Sequence, residues 1–224
     1  MVFALVHSPF LGPQSWARTH AVLEDLGEAS RLLDLREAFG AVENFYAAFG
    51  AAAARQIDGP SILVVHSGAG ALVPAIVNSA RRLIGGAVFV DALLPHPGRS
   101  WFDTAPAALA DRLRAEADAD LAPAWPRWMS PGALARLVPD RSMRDALVRD
   151  APRAPLAFLE EPAPILPDPP ELARAYLQLS AGYDEEAASA RGSGWPVERF
   201  RGHHLSIMTD PRPMAAAIIA SRPA

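Results

Sequence analysis

The chain contains no cysteine. That excludes a disulfide framework, a thiolate metal site and a cysteine nucleophile, and it leaves the redox compartment open. A charge surplus is also missing: 21 basic residues stand against 25 acidic ones, for a formal charge of −4, and no Lys/Arg-rich block occurs. Nucleic acid is therefore not an expected partner, and a small or neutral molecule fits better. No apolar stretch reaches the ~18 residues of a membrane span. The opening residues, MVFALVHSPF, have neither a basic n-region nor a small-residue cleavage site. The expectation is a cytoplasmic protein with no membrane association. Internal repeats are absent.

What is present is enough apolar material for one core. With 224 residues, 50% hydrophobic and 21% charged, the chain reads as a single domain over 1–224, with room for an inserted lid. Apolar runs alternate with helical patterns. Strands are predicted over 2–6, 31–35, 61–65 and 86–95, and helices over 15–26, 42–55 and 70–83, the last tolerating Pro74 near its start. From about 97 to 155 the pattern changes to charged, alanine-rich helical pieces broken by proline and carrying Trp101, Trp125 and Trp128. This is the expected lid. EPAPILPDPP (161–170) reads as a stiff, extended connector. Strand, helix, strand and helix then follow over 175–180, 184–191, 195–202 and 213–220. The alternation implies a mostly parallel sheet covered by helices on both faces, with its site at the carboxyl ends of the strands.

One stretch at such an end has chemical content. In VVHSGAG, Ser67 follows an apolar strand, sits among small residues and precedes a helix. A serine attacks a carbonyl well when a sharp strand-to-helix turn presents its oxygen, because the next backbone N–H and the helix dipole stabilise negative charge there. GHHL follows late in the chain, and its histidines are candidates to return to that serine.

With these residues in view, the sequence resembles the α/β-hydrolase superfamily, especially its small members related to plant methyl esterases and hydroxynitrile lyases. Four segments carry the resemblance: ALVHSPFLGPQSW as first strand and oxyanion loop, VVHSGAG as nucleophile elbow, AVFVDALLP as the strand entering the lid, and GHHLSIMTDP as the terminal histidine loop. The resemblance implies an α/β-hydrolase fold, with Ser67 as nucleophile, His204 as general base and the Gly68 N–H as oxyanion donor. His204 is preferred over His203 because the family places the base seven residues before a proline, and Pro211 fits that count.

The departures from the pattern are chemical. The elbow G-x-S-x-G has Val65 and Ala69 at its glycine positions. The residue that resembles the second oxyanion donor is Pro9, which has no N–H. Either Phe10 supplies that donor, or the reaction does without a two-donor hole. Two residues compete for the acid: Asp91, ending the strand beside the elbow, and Asp184, after the strand where the family usually carries it. Asp91 is favoured for its buried position; Asp184 also reads as a helix cap. Glu160 and Glu161 are weaker candidates for the same role. His7 and Pro9 on the first loop, with Trp101, Trp125 and Trp128 of the lid, are the expected substrate contacts.

The sequence therefore points to a serine hydrolase of a small, largely apolar ester or lactone, working without metal or organic cofactor. Lyase, cyclase or C–C cleavage chemistry on the same fold is the alternative that Pro9 raises. A non-catalytic ligand receptor is another. GAGALV, with Asp91 about twenty residues on, also imitates a dinucleotide fingerprint of an oxidoreductase, but Val73 replaces the third glycine and two strand-helix units already precede it.

Overall fold

A computed structural model describes residues 1–166 and 172–223. Six strands form one wholly parallel sheet in the order β2-β1-β3-β4-β5-β6. They are β1 (Val2–Val6), β2 (Ser30–Leu33), β3 (Ser61–Ser67), β4 (Ile84–Ala92), β5 (Ala173–Gln178) and β6 (Val197–Arg199). The chain runs outward from β1 to β2 and then crosses back to β3, so the reversal lies between β1 and β3. In such sheets the crevice beyond the strand ends at this reversal is where ligands bind.

Strand periodicity divides the core in two. Ala4, Val6, Leu63, Val65, Ala87 and Phe89 face one side, while Phe3, Leu5, Ile62, Val64, Val88 and Val90 face the other. The central strands therefore read as unbroken apolar runs, as strands buried on both faces must. On the first side lie α2 (Phe45–Gln56) and α3 (Val73–Ala80), through Phe45, Phe49, Ala75 and Ile76. On the second side lies α1 (Ala17–Asp25), through Leu23.

Between β4 and β5 the chain leaves the sheet for a helical segment. It comprises α4 (Trp101–Thr104), α5 (Ala107–Ala115), α6 (Ala133–Leu137), α7 (Arg141–Asp150) and α8 (Leu156–Glu160). A capping box of Ser100 and Asp103 starts it. Its exit and return are stitched by Gly98 N–H to Ala163 O and Ala163 N–H to Arg99 O, both 2.8 Å. Two carboxylates near the return fasten it to the body. Asp150 accepts from Gln14 N–H at 2.9 Å and from Arg36 at 2.6 Å, and Glu161 accepts from Phe45 and Tyr46 N–H at 2.9 and 3.2 Å. Glu161 thereby caps α2, whose own Asn44 makes no capping bond. Glu160 pairs with Arg114. Residues 161–166 have no helix or strand; the rest of the proline-rich connector, 167–170, lies outside the described residues.

The last third completes the wrap with α9 (Asp184–Gly192), α10 (Ser206–Thr209) and α11 (Pro211–Ala220). The parallel sheet with helices on both faces is as the alternation predicts. Two boundaries differ. Residues 68–72 form a 3-10 turn before α3 begins at Val73, because the chain must first bend around Ser67. The last strand shrinks to three residues at the sheet edge, where only β5 pairs with it. No helix among the described residues is long and apolar enough to cross a membrane.

Candidate active site

Ser67 ends β3 with φ 57° and ψ −128°, a left-handed backbone that a non-glycine residue adopts only under strain. The neighbouring strand enforces the bend: Leu93 N–H donates to Ser67 O at 3.0 Å. Gly70 is the position where glycine is required, since a Cβ there would lie 1.8 Å from Leu93 O. Val65 and Ala69, fully buried, are accommodated. The broken G-x-S-x-G pattern thus keeps its sharp turn by moving the close approach one residue on.

Asp91 owes its aim to a β-bulge. His66 pairs with Val90 and Ser67 with Ala92, so Asp91 is the extra residue, at φ 43°. Bulges commonly redirect a side chain near a site. The backbone beyond it is satisfied by the Tyr176 phenol, which donates to Ala92 O at 2.8 Å and accepts from Ala92 N–H at 3.1 Å. The Asp91 carboxylate, 0% exposed, accepts from His204 Nδ1 at 2.8 Å, from Leu179 and Ser180 N–H, and from Ser180 Oγ at 2.6 Å. Burial alone would raise its carboxyl pKa, but the His204 bond, helped by Ser180 and Leu179, holds it below the ordinary range.

Two more histidines shape the site from below. His66 donates its Nε2–H to His204 O at 2.9 Å, and the two rings lie 4.4 Å apart. Burial, reinforced by His204, pushes its pKa far down, so it is a neutral strut under the histidine loop. His7 is also fully buried, with its pKa lowered by burial. It donates Nδ1–H to Ser8 O at 2.8 Å and accepts from Leu35 N–H at 3.0 Å. His7 is not in the lining of the cavity that holds Ser67: one ring nitrogen holds its own loop and the other joins it to the chain beyond β2.

These burials carry a pH signature. Burial holds the folded pKa of His66 and His7 below their ordinary value of 6.5, so the unfolded chain binds protons there more readily than the folded one and stability falls as pH drops below that value. Each neutral histidine contributes up to about 1.4 kcal/mol per pH unit. Asp91 adds a loss of the same sign below its ordinary value of 3.8, as pH falls toward its depressed folded pKa. Urea midpoints measured from pH 7.5 to 4.5 are expected to decline steadily, and to decline less in His66→Asn. A flat profile would contradict the neutral assignment.

Ser67 and His204 open onto one cavity of about 440 Å³. Phe10, Gly68, Tyr183 and Glu186 line it from the body; Trp101, Leu109, Trp125 and Trp128 line it from the helical segment. Phe10, Trp101 and Trp128 pack on one another with centroids 4.7–5.3 Å apart, giving an apolar wall. Pro9 is not in the lining; its Cδ packs toward Gly68. The Phe10 N–H is not free for an oxyanion either, because Ser8 Oγ accepts it at 3.3 Å. Asp184 lies away from His204: its carboxylate accepts from Gln178 Nε2 at 2.5 Å and from Arg199 at 3.2 Å. His203 turns into its own loop, bonding Leu205 N–H and Thr209 Oγ1. No group of three or more His, Asp or Glu among the described residues is placed to hold a metal ion.

Tyr183 is the residue that sequence reasoning missed. Its ring stacks on His204, with centroids 5.1 Å apart and planes 8° apart. Its hydroxyl lies 3.2 Å from Ser67 Oγ, and among the described residues this is the hydrogen bond that Ser67 Oγ makes. The signal for it was slight: an aromatic one position before Asp184, in the loop searched for an acid.

No family model matches the chain, and no curated protein matches it in sequence. Solved structures do. An extracellular α/β-hydrolase from a Paenibacillus species, described as sharing structural and functional homology with tobacco salicylic acid binding protein 2, superposes with TM-score 0.77 at 20% identity, over 99% of this chain and 98% of that one. Tomato methylketone synthase I, bound to 2-tridecanone, gives 0.74 at 18%, over 98% and 96%. Polyneuridine aldehyde esterase gives 0.72 at 16%, over 98% of each chain. The chain has the α/β-hydrolase fold over essentially its whole length.

Proposed function

We propose that the protein is a serine-dependent hydrolase of small, largely apolar esters or lactones, with Ser67, His204 and Asp91 as its triad. The observation that carries this reading is His204, held by Asp91 at 2.8 Å, opening onto the same cavity as a serine on a strained strand-to-helix turn. Asp91 fixes His204 with Nδ1 protonated, leaving Nε2 to take a proton. His204 keeps 16% of its side chain exposed, so it can reach a reacting group, while its partner is sealed.

In the proposed cycle Ser67 turns its hydroxyl from Tyr183 to His204 Nε2, which removes the proton as Oγ bonds to the substrate carbonyl carbon. The developing oxyanion faces the Gly68 N–H at the start of the turn. His204 then protonates the leaving alcohol, and a water molecule, activated by the same nitrogen, releases the acid and restores Ser67. The helical segment over 101–160 serves as the lid, and its tryptophans favour an apolar acyl or alcohol group.

A fluorophosphonate probe tests this directly. We expect one adduct, on Ser67, identified by peptide mass spectrometry and absent from Ser67→Ala. His203→Ala should label at close to the wild-type rate. Wild-type protein that stays unlabelled while remaining folded would overturn the nucleophile assignment.

A further inference from the structure

Resting on the proposed Ser67 chemistry, the geometry points to Tyr183 as a further catalytic residue: its phenol, rather than a second backbone N–H, donates the second hydrogen bond to the substrate oxyanion. At positions 9–11 the first-strand loop has no free backbone donor to give. Pro9 lacks an N–H; Phe10 N–H is taken by Ser8 Oγ, and Leu11 N–H by Ser8 O at 2.9 Å. Pro9 Cδ occupies the direction that an N–H would take from that nitrogen, and it lies 3.3 Å from where a Cβ on Gly68 would stand. One of the two usual donors is thus replaced by a methylene group.

Tyr183, by contrast, already touches the reacting atom. Once Ser67 Oγ has bonded to the carbonyl carbon, the charged oxygen is only one further bond away, within reach of a hydroxyl that lay 3.2 Å from Oγ. Oγ has then given its proton to His204 and its lone pair to carbon, so it no longer competes for the phenol. The Tyr183 proton is shared with the oxyanion and not transferred. Burial, with the negative charges of Asp91 and Glu186, keeps the phenol protonated and hence a donor. Stacking on His204 holds the ring before substrate arrives, and a donor fixed in advance costs no reorganisation during the reaction.

Tyr183→Phe removes the hydroxyl and keeps the stacked ring. With an activated aryl ester we expect kcat to fall about 10²–10³-fold with KM little changed. Affinity for a trifluoromethyl ketone, which forms a hemiketal on Ser67, should fall by a similar factor. Pro9→Ala, which returns an N–H facing Gly68, should raise kcat more in the Tyr183→Phe background than in the wild type; a structural role for the phenol would not produce that coupling. If Tyr183→Phe turns over at the wild-type rate while the wild type still takes the fluorophosphonate on Ser67, the donor role is overturned and the nucleophile stands. If the wild type takes no label, both fall. A wild-type crystal structure with the ketone decides the matter even if the variant is unstable: the phenol must lie within hydrogen-bond distance of the hemiketal oxygen, and a longer separation overturns the assignment.

Discussion

Ser67→Ala is expected to lower kcat for an activated ester by on the order of 10⁴–10⁶-fold, and His204→Ala by a similar factor. The two act as one unit, since a nucleophile without its base is as ineffective as a base without its nucleophile. The double variant should therefore be little worse than either single one. Alanine keeps a Cβ at φ 57°, so the strain of the turn persists and the melting temperature should barely move. Steady-state kinetics with a chromogenic ester, alongside thermal melts, would check both parts. Turnover retained in Ser67→Ala would point instead to the lyase or cyclase chemistry that a proline in the oxyanion loop first suggested.

Asp91 is expected to affect stability as well as rate. Asp91→Asn retains the shape but places an amide where four donors converge, from His204, Leu179 and twice from Ser180. An amide N–H facing His204 Nδ1 favours the wrong tautomer, and the loss expected for that change is about 10⁴-fold in kcat. Asp91→Ala goes further by stranding buried backbone N–H groups, each costing about 1–3 kcal/mol. A total of roughly 3–5 kcal/mol, read from urea melts, is expected. Asp184→Asn, whose carboxylate faces Gln178 and Arg199, should leave kcat within about threefold of wild type. The reverse ranking would return the acid role to Asp184.

The scaffold was legible because its signals are local and repeated. Apolar runs such as Ile62–Val65 and Ala87–Val90, short and rich in β-branched residues, read as strands covered on both faces, and the small residues after Ser67 mark the bend that follows. Three features were hidden for definite reasons. The bulge at Asp91 sits inside an unbroken run, and nothing in VFVDA distinguishes an extra residue from a paired one. The Phe10 amide is decided by the hydroxyl rotamer of Ser8, which leaves no trace in the order of residues. Tyr183 faces His204 because residues 181–183 tighten into a 3-10 turn before α9; that turn swings the tyrosine inward and leaves Asp184 exposed.

The helical segment over the cavity is fastened most firmly at its neck and along α7. Its neck is stitched by paired backbone bonds, and Asp150 and Glu161 tie its return to the first loop and to α2. By contrast, α6 has no fully buried residue, and only Leu134 and Leu137 lean on the core from it. Local opening has its lowest free-energy cost where buried apolar contact is least, so the segment is expected to open around α6 before its neck does. Trp125 and Trp128 line the cavity on the stretch leading into α6. On the proposed reading, loosening of this stretch would open the cavity beside these tryptophans without touching the Asp91–His204 hydrogen bond.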